Sequence, residues 1–171
     1  MADSKPSKAL PIVVGVDGSP ESVVALRWAK KLAGPLGATI KAVSAWRSEV
    51  VFAPYSIPEW DSETVVRELH AKALVDAFGN NPPAGLVSEC LRGQSAQVLI
   101  EAAKNAQMLI VGSRGHGGFK GMLLGSVSSA CAAHAKCAVL VVHADNQSLP
   151  EQVSTGMGTQ QQDADNASGY I

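Results

Sequence analysis

Short apolar runs alternate with stretches of helical periodicity from residue 12 to residue 142. Ile12–Val16, Thr39–Ala45, Leu86–Leu91, Met108–Val111 and Ala138–Val142 have strand length and are built mainly from small and β-branched residues. Between them lie four amphipathic or small-residue stretches. Ser19 is placed to cap the first, Pro20 suits its opening turn, and Val24, Trp28, Leu32 and Leu36 recur at helical spacing until Gly34-Pro35 and Gly37 stop it. Helices are likewise predicted over Asp61–Phe78, Ser95–Asn105 and Val127–Ala135, and Asn80-Asn-Pro-Pro-Ala-Gly85 is a turn. Trp46 to Trp60 has two prolines and little periodicity, which predicts a long loop; its aromatics Trp46, Phe52, Tyr55 and Trp60 are read as cover for the core. Strand and helix in strict alternation mean βαβ units and a parallel sheet with helices on both faces, a doubly wound α/β fold.

One stretch carries candidate chemistry. After the strand at Met108–Val111 come six glycines, at positions 112, 115, 117, 118, 121 and 125, and then a helix start at Ser126. Glycine lacks the Cβ that would hold a phosphate off the backbone, and it lets successive N–H groups turn toward one anion. The following helix adds unpaired amides and the positive end of its dipole. Two better-known glycine patterns do not fit. Gly112 and Gly117 have P-loop spacing, but Gly118 and Phe119 stand where Lys and Ser or Thr should follow. Gly115-His116-Gly117 opens like a dinucleotide fingerprint, yet Lys120 occupies the third glycine position.

The spacing Gly112-x2-Gly115-x9-Gly125-Ser126 does resemble the nucleotide motif of the ATP-binding branch of the universal stress protein family, and the resemblance runs from about Ala9 to His143. Ile12-Val-Val-Gly-Val-Asp-Gly-Ser-Pro20 resembles that family's first strand and turn, and Arg92-Gly-Gln-Ser95 its turn before the third helix. The resemblance implies a Rossmann-like fold of the adenine nucleotide alpha hydrolase type, a five-stranded parallel sheet in the order 3-2-1-4-5. It implies ATP in the crevice between strands one and four, with Gly15, Val16 and Asp17 near ribose and adenine. Gly112, Ser113, Arg114, Gly115, His116, Gly117 and Gly118 would wrap the phosphates, and Gly125, Ser126 and Val127 would close the far side. Ser44, at the edge of strand two, would give adenine a backbone contact. It also implies a homodimer, for which strand five offers an unpaired edge.

Individual side chains keep more than one reading. Asp17 can accept from ribose hydroxyls or from local turn amides. Arg114 and His116 either reach the phosphates or are solvated, and Lys120 is read as exposed. Ser126 is expected both to cap its helix and to donate to a phosphate oxygen. Cys131-x2-His134-x2-Cys137 has zinc-ligand types but lacks a fourth ligand nearby, so buried thiols are the favoured reading. Efficient phosphoryl transfer wants a positioned cation and a carboxylate pair for magnesium, which the chain does not offer; Asp17 with Mg²⁺ and His116 leaves slow hydrolysis as the second reading.

Bulk properties narrow the setting. The chain has 171 residues, enough for a single domain, and no internal repeat. It has fourteen Lys and Arg against fifteen Asp and Glu; four of the acids lie in residues 145–171, so the remainder carries eleven acids and a formal charge of about +3. That suits a small anion and not a nucleic-acid groove. Residues 1–8 are expected to be a flexible leader, 9–144 the folded domain, and 145–171, rich in Gln, Asp, Gly and Ser, a disordered tail. The polar N-terminus and the short, Asp-terminated apolar run after it are neither signal peptide nor membrane span. Three cysteines without a C-x-x-C pair argue against a disulfide framework, and a cytoplasmic setting is expected.

Overall fold

A computed structural model of the chain describes residues 10–47, 62–115 and 124–144. Five parallel strands form one sheet: β1 (Ile12–Gly15), β2 (Ile40–Trp46), β3 (Val87–Arg92), β4 (Met108–Gly112) and β5 (Ala138–Val142), in the spatial order β3-β2-β1-β4-β5. The helices are α1 (Pro20–Ala33), α2 (Glu63–Phe78), α3 (Ser95–Ala102) and α4 (Ser126–His134). The chain therefore runs from β1 toward β2 and β3, then crosses back to build β4 and β5 on the other side. The direction changes between β1 and β4, the place where doubly wound sheets offer a crevice to ligands.

Alternate residues of each central strand face opposite layers, because successive side chains in a strand point to opposite sides. Ile12, Val14, Ile40, Ala42 and Ile110 meet Val24, Ala25, Leu26 and Ala29 of α1 and Ala73 and Phe78 of α2. Val13, Val43, Leu109 and Val111 meet Leu99 and Ala103 from α3 and Cys131 from α4. Two apolar layers thus clamp the sheet, and the strand ends that carry the site are held by a rigid core.

Element ends depart slightly from the periodicity, each for a local reason. Ser19 caps α1 as expected, its hydroxyl accepting from the Ser22 amide at 3.2 Å, and Pro20 is the first helical residue. The third helix stops at Ala102 and not at Asn105, because the Lys104 and Ala106 amides donate three residues back, to Glu101 and Ala103, and tighten the last turn. The fourth begins at Ser126 with Gly125 as its N-cap, so the capping job expected of Ser126 is not taken; Ser126 is the first helical residue and is exposed. The expected leader, the tail at 145–171 and the loop aromatics Phe52, Tyr55 and Trp60 lie outside the described residues.

Candidate functional site

The end of β1 is a tightly bonded turn. Beyond Gly15 the Val16 amide still donates to the Val43 carbonyl at 2.9 Å, extending the pairing with β2 by one bond. The chain then turns at Gly18, whose φ of 84° falls in the left-handed region that glycine occupies without strain. Asp17 closes this turn: its Oδ1 accepts from the Ser19 amide at 3.0 Å and from the Ser19 hydroxyl at 2.5 Å. The local reading of Asp17 is therefore correct for one carboxylate oxygen. The other oxygen, Oδ2, overlaps the place a Cβ on residue 115 would take, so Asp17 lies directly against Gly115.

The second wall comes from β4 and α4. Gly112 ends β4 opposite Val142, and the Ser113 amide donates to the Val142 carbonyl at 2.6 Å. Ser113 is buried, and its carbonyl accepts from the Gly125 amide at 2.7 Å and from the Ser128 hydroxyl at 3.2 Å. Ser128 also reaches the Gly125 carbonyl at 3.0 Å. The start of α4 is thereby buckled to the end of β4. One consequence corrects the cradle as first drawn: the Gly125 amide is already used by the protein. The first in-helix bond runs from Ser129 to Gly125, so the amides of Ser126, Val127 and Ser128 are the ones that precede it and sit at the positive end of the helix dipole.

The glycines at these strand ends play different parts, and Gly115 leaves room for the Asp17 carboxylate. A Cβ on Gly15 would come within 2.9 Å of a Leu99 methyl, and one on Gly112 within 2.6 Å of Glu21 Cβ and 3.0 Å of the Arg114 carbonyl. Those two are demanded by packing of the protein on itself. Gly125 is not. Its φ of −72° and ψ of 164° suit any residue, and a Cβ there would meet nothing nearer than 3.5 Å.

Of the residues singled out from the sequence, Gly15, Val16 and Asp17 stand at the carboxyl end of β1, Gly112, Ser113, Arg114 and Gly115 at and just beyond the end of β4, and Gly125, Ser126 and Val127 at the start of α4; Gly115 meets Asp17, and Gly125 is bonded to Ser113. His116, Gly117 and Gly118 lie outside the described residues, as does Lys120. Arg114 is exposed. The Ser44 side chain does not line the crevice: it is buried beneath α2, where its hydroxyl donates to the Val16 carbonyl at 2.5 Å. Trp46 ends β2 half-buried, with the Arg92 guanidinium 5.9 Å from its ring centre.

Sequence reading missed His70, Ser88 and Ser128. The signal for His70 was present, since Val66, His70 and Ala73 fall on one buried stripe of α2. His70 is only 3% exposed, and burial first, then the Arg67 charge, hold its imidazole below the usual histidine range. Above about 6.5 folded and unfolded chains both carry neutral imidazole, and below it the unfolded chain takes up a proton that buried His70 resists. Stability should therefore fall as pH drops from about 6.5, then level off under the folded-state value. Urea titrations between pH 5 and 7.5 check this, with a shallower slope expected in His70→Asn. Cys131 is fully buried and burial pushes its thiol up to about 11, with Cys137 adding to the rise, so it stays protonated at neutral pH. Among the described residues no three His, Cys, Asp or Glu side chains gather as metal ligands, and no helix is long and apolar enough to cross a membrane.

Known proteins share this arrangement. A sequence model described as the Universal stress protein family matches residues 9–143. The chain belongs to the universal stress protein family. A universal stress protein of Mycolicibacterium smegmatis is 41% identical over 134 residues, covering 78% of this chain and 45% of that relative. Another, from Mycobacterium tuberculosis, is 30% identical over 161 residues, covering 86% and 52%. The chain thus spans about half the length of the curated relatives it matches. Among solved structures, a universal stress protein in complex with cAMP superposes with a TM-score of 0.59 at 26% identity, covering 81% of this chain and 99% of that one. A universal stress protein from Archaeoglobus fulgidus in complex with dAMP gives 0.54 at 19% identity over 77% and 96%, which bears on the fold alone. The fold of this universal stress protein is the adenine nucleotide alpha hydrolase type, with the sheet order implied by its motifs.

Proposed function

We propose that this universal stress protein binds ATP between β1 and β4 and acts as a nucleotide-dependent sensor or regulator. Gly125 carries the reading: the protein's own atoms do not require glycine there, whereas a ligand approaching the start of α4 does. Gly15, Val16 and Asp17 then serve ribose and adenine, with a backbone contact at Ser44. Gly112 to Gly118, including Arg114 and His116, and the amides of Ser126 and Val127 serve the phosphates. The cAMP complex of a relative at 26% identity supports an adenine nucleotide as the guest. It also favours a second reading, in which a nucleotide with a single phosphate occupies the same crevice.

Binding and not turnover is the proposed role. Were Mg²⁺ to accompany the triphosphate, Asp17 is the carboxylate that would help hold it, and the ion would offset phosphate charge. The chain supplies no P-loop lysine to stabilise charge on a transferring phosphoryl group, so hydrolysis is slow. A homodimer formed through the free edge of β5, a cytoplasmic setting and a regulatory protein partner complete the proposal. A micromolar complex needs about 8 kcal/mol, within reach of several charge-assisted amide bonds plus adenine burial.

Mass spectrometry of the protein purified under native conditions tests it directly. A co-purified ATP mass is the expected result, a cyclic or monophosphate nucleotide selects the second reading, and a chain that takes up no adenine nucleotide on titration overturns both.

A further inference from the structure

Three polar side chains beneath α2 form a connected path that the nucleotide reading leaves unused. At the exposed edge, Ser88 Oγ of β3 lies 2.8 Å from His70 Nε2. On the other side of the ring, His70 Nδ1 lies 2.6 Å from Ser44 Oγ, and the Ser44 hydroxyl lies 2.5 Å from the Val16 carbonyl. His70 and Ser44 are buried, whereas Ser88 is exposed. The path thus leads from solvent at the sheet edge to the last residue before Asp17.

Counting protons fixes its direction. A serine hydroxyl carries one proton, and neutral imidazole carries one on either Nδ1 or Nε2. With the proton on Nδ1, His70 donates to Ser44, the Ser44 proton goes to the Val16 carbonyl, and Ser88 donates to Nε2; every buried partner is satisfied. With the proton on Nε2, the Ser44 proton is drawn to Nδ1 and the Val16 carbonyl loses it. That carbonyl sits where β1 leaves the β2 ladder, since the register ends at Gly15 opposite Val43. The amide of Val16 is held by Val43 and its carbonyl by Ser44, so one bond holds the peptide entering Val16 and another the peptide that joins it to Asp17.

We propose that His70 is a positioning residue for the nucleotide: by keeping its proton on Nδ1 it commits the Ser44 hydroxyl to the Val16 carbonyl and so sets how Asp17 meets the ligand. The inference rests on the nucleotide reading of the crevice. The Val16 carbonyl, by taking the Ser44 proton, favours the tautomer, and the Ser88 hydroxyl, which can donate or accept, serves Nε2 from the surface. A purely architectural network would lower stability when cut and leave the ligand affinity alone. A positioning network moves both, and restoring the one donor restores the affinity.

The experiment joins long-range proton–nitrogen NMR of the imidazole to ATP titration calorimetry on the unaltered chain, His70→Leu and His70→Asn. The expected spectrum has the proton on Nδ1. The expected Kd for ATP rises about tenfold in His70→Leu, the loss of one buried donor, and returns to within about threefold in His70→Asn, whose amide nitrogen stands near the Nδ1 position. A proton on Nε2 overturns the inference. So does an unchanged Kd in both variants, or a deficit in His70→Asn as large as in His70→Leu. If His70→Leu does not fold, the tautomer and the His70→Asn affinity decide. An unaltered chain that takes up no ATP removes the nucleotide reading and this inference with it, a result told apart because it needs no substitution.

Discussion

Replacing Gly125 with valine should abolish ATP binding while leaving the fold in place. The backbone at 125 is extended and not left-handed, so a β-branched residue is not strained there. The new Cβ would sit 3.5 Å from the Ser113 carbonyl and 3.7 Å from Arg114 Cα, inside the gap between the β4 turn and the first turn of α4. That is the gap proposed for the phosphates, and its charge-assisted amide bonds are worth roughly 1.5–3 kcal/mol each. Losing two of them weakens binding by at least about a hundredfold. The folded state loses only about 1 kcal/mol, the difference between glycine and a poor N-cap residue. Calorimetry with ATP and far-UV circular dichroism check the two halves. Wild-type affinity in a folded Gly125→Val chain would sink the site assignment.

Gly112→Val should behave in the opposite way. A Cβ at 112 would lie 2.6 Å from Glu21 Cβ, next to the backbone of α1's first turn, which cannot swing aside as the end of a long side chain can. Relief requires α1 or the end of β4 to move, and overpacking of this kind costs about 1–3 kcal/mol. For a domain of this size that lowers Tm by about 5–10 °C. Because Asp17 and Ser19 sit at the start of α1, the same movement also displaces one wall of the crevice. Thermal melts should therefore separate the two variants: a large loss for Gly112→Val and a small one for Gly125→Val.

These two glycines illustrate what the sequence discloses. The sheet and its helices were legible because strand-length apolar runs and capping residues such as Ser19 act locally, and the Gly112-x2-Gly115-x9-Gly125 spacing pointed to the candidate site. Which glycine serves the protein and which serves a guest was not legible, because that depends on Glu21 and Leu99, neighbours brought in by packing. Ser126 was expected to cap α4, a role that local chemistry favours, but Gly125 occupies the cap position without a side-chain bond, and the Ser128 hydroxyl donates to the Gly125 and Ser113 carbonyls. His70 fell on an apolar stripe and was passed over. Its meaning arises only when β2 and β3 place Ser44 and Ser88 on either side of the ring.

The bond from the Gly125 amide to the Ser113 carbonyl has an evolutionary consequence. Ser113 and Gly125, separated along the chain by residues 114–124, are joined directly, so the end of β4 and the start of α4 hold together whatever the length of chain between them. Doubling such a segment costs only about 0.6 kcal/mol in closure entropy. Descendants of this chain can therefore vary the span between those two residues while inheriting the same scaffold.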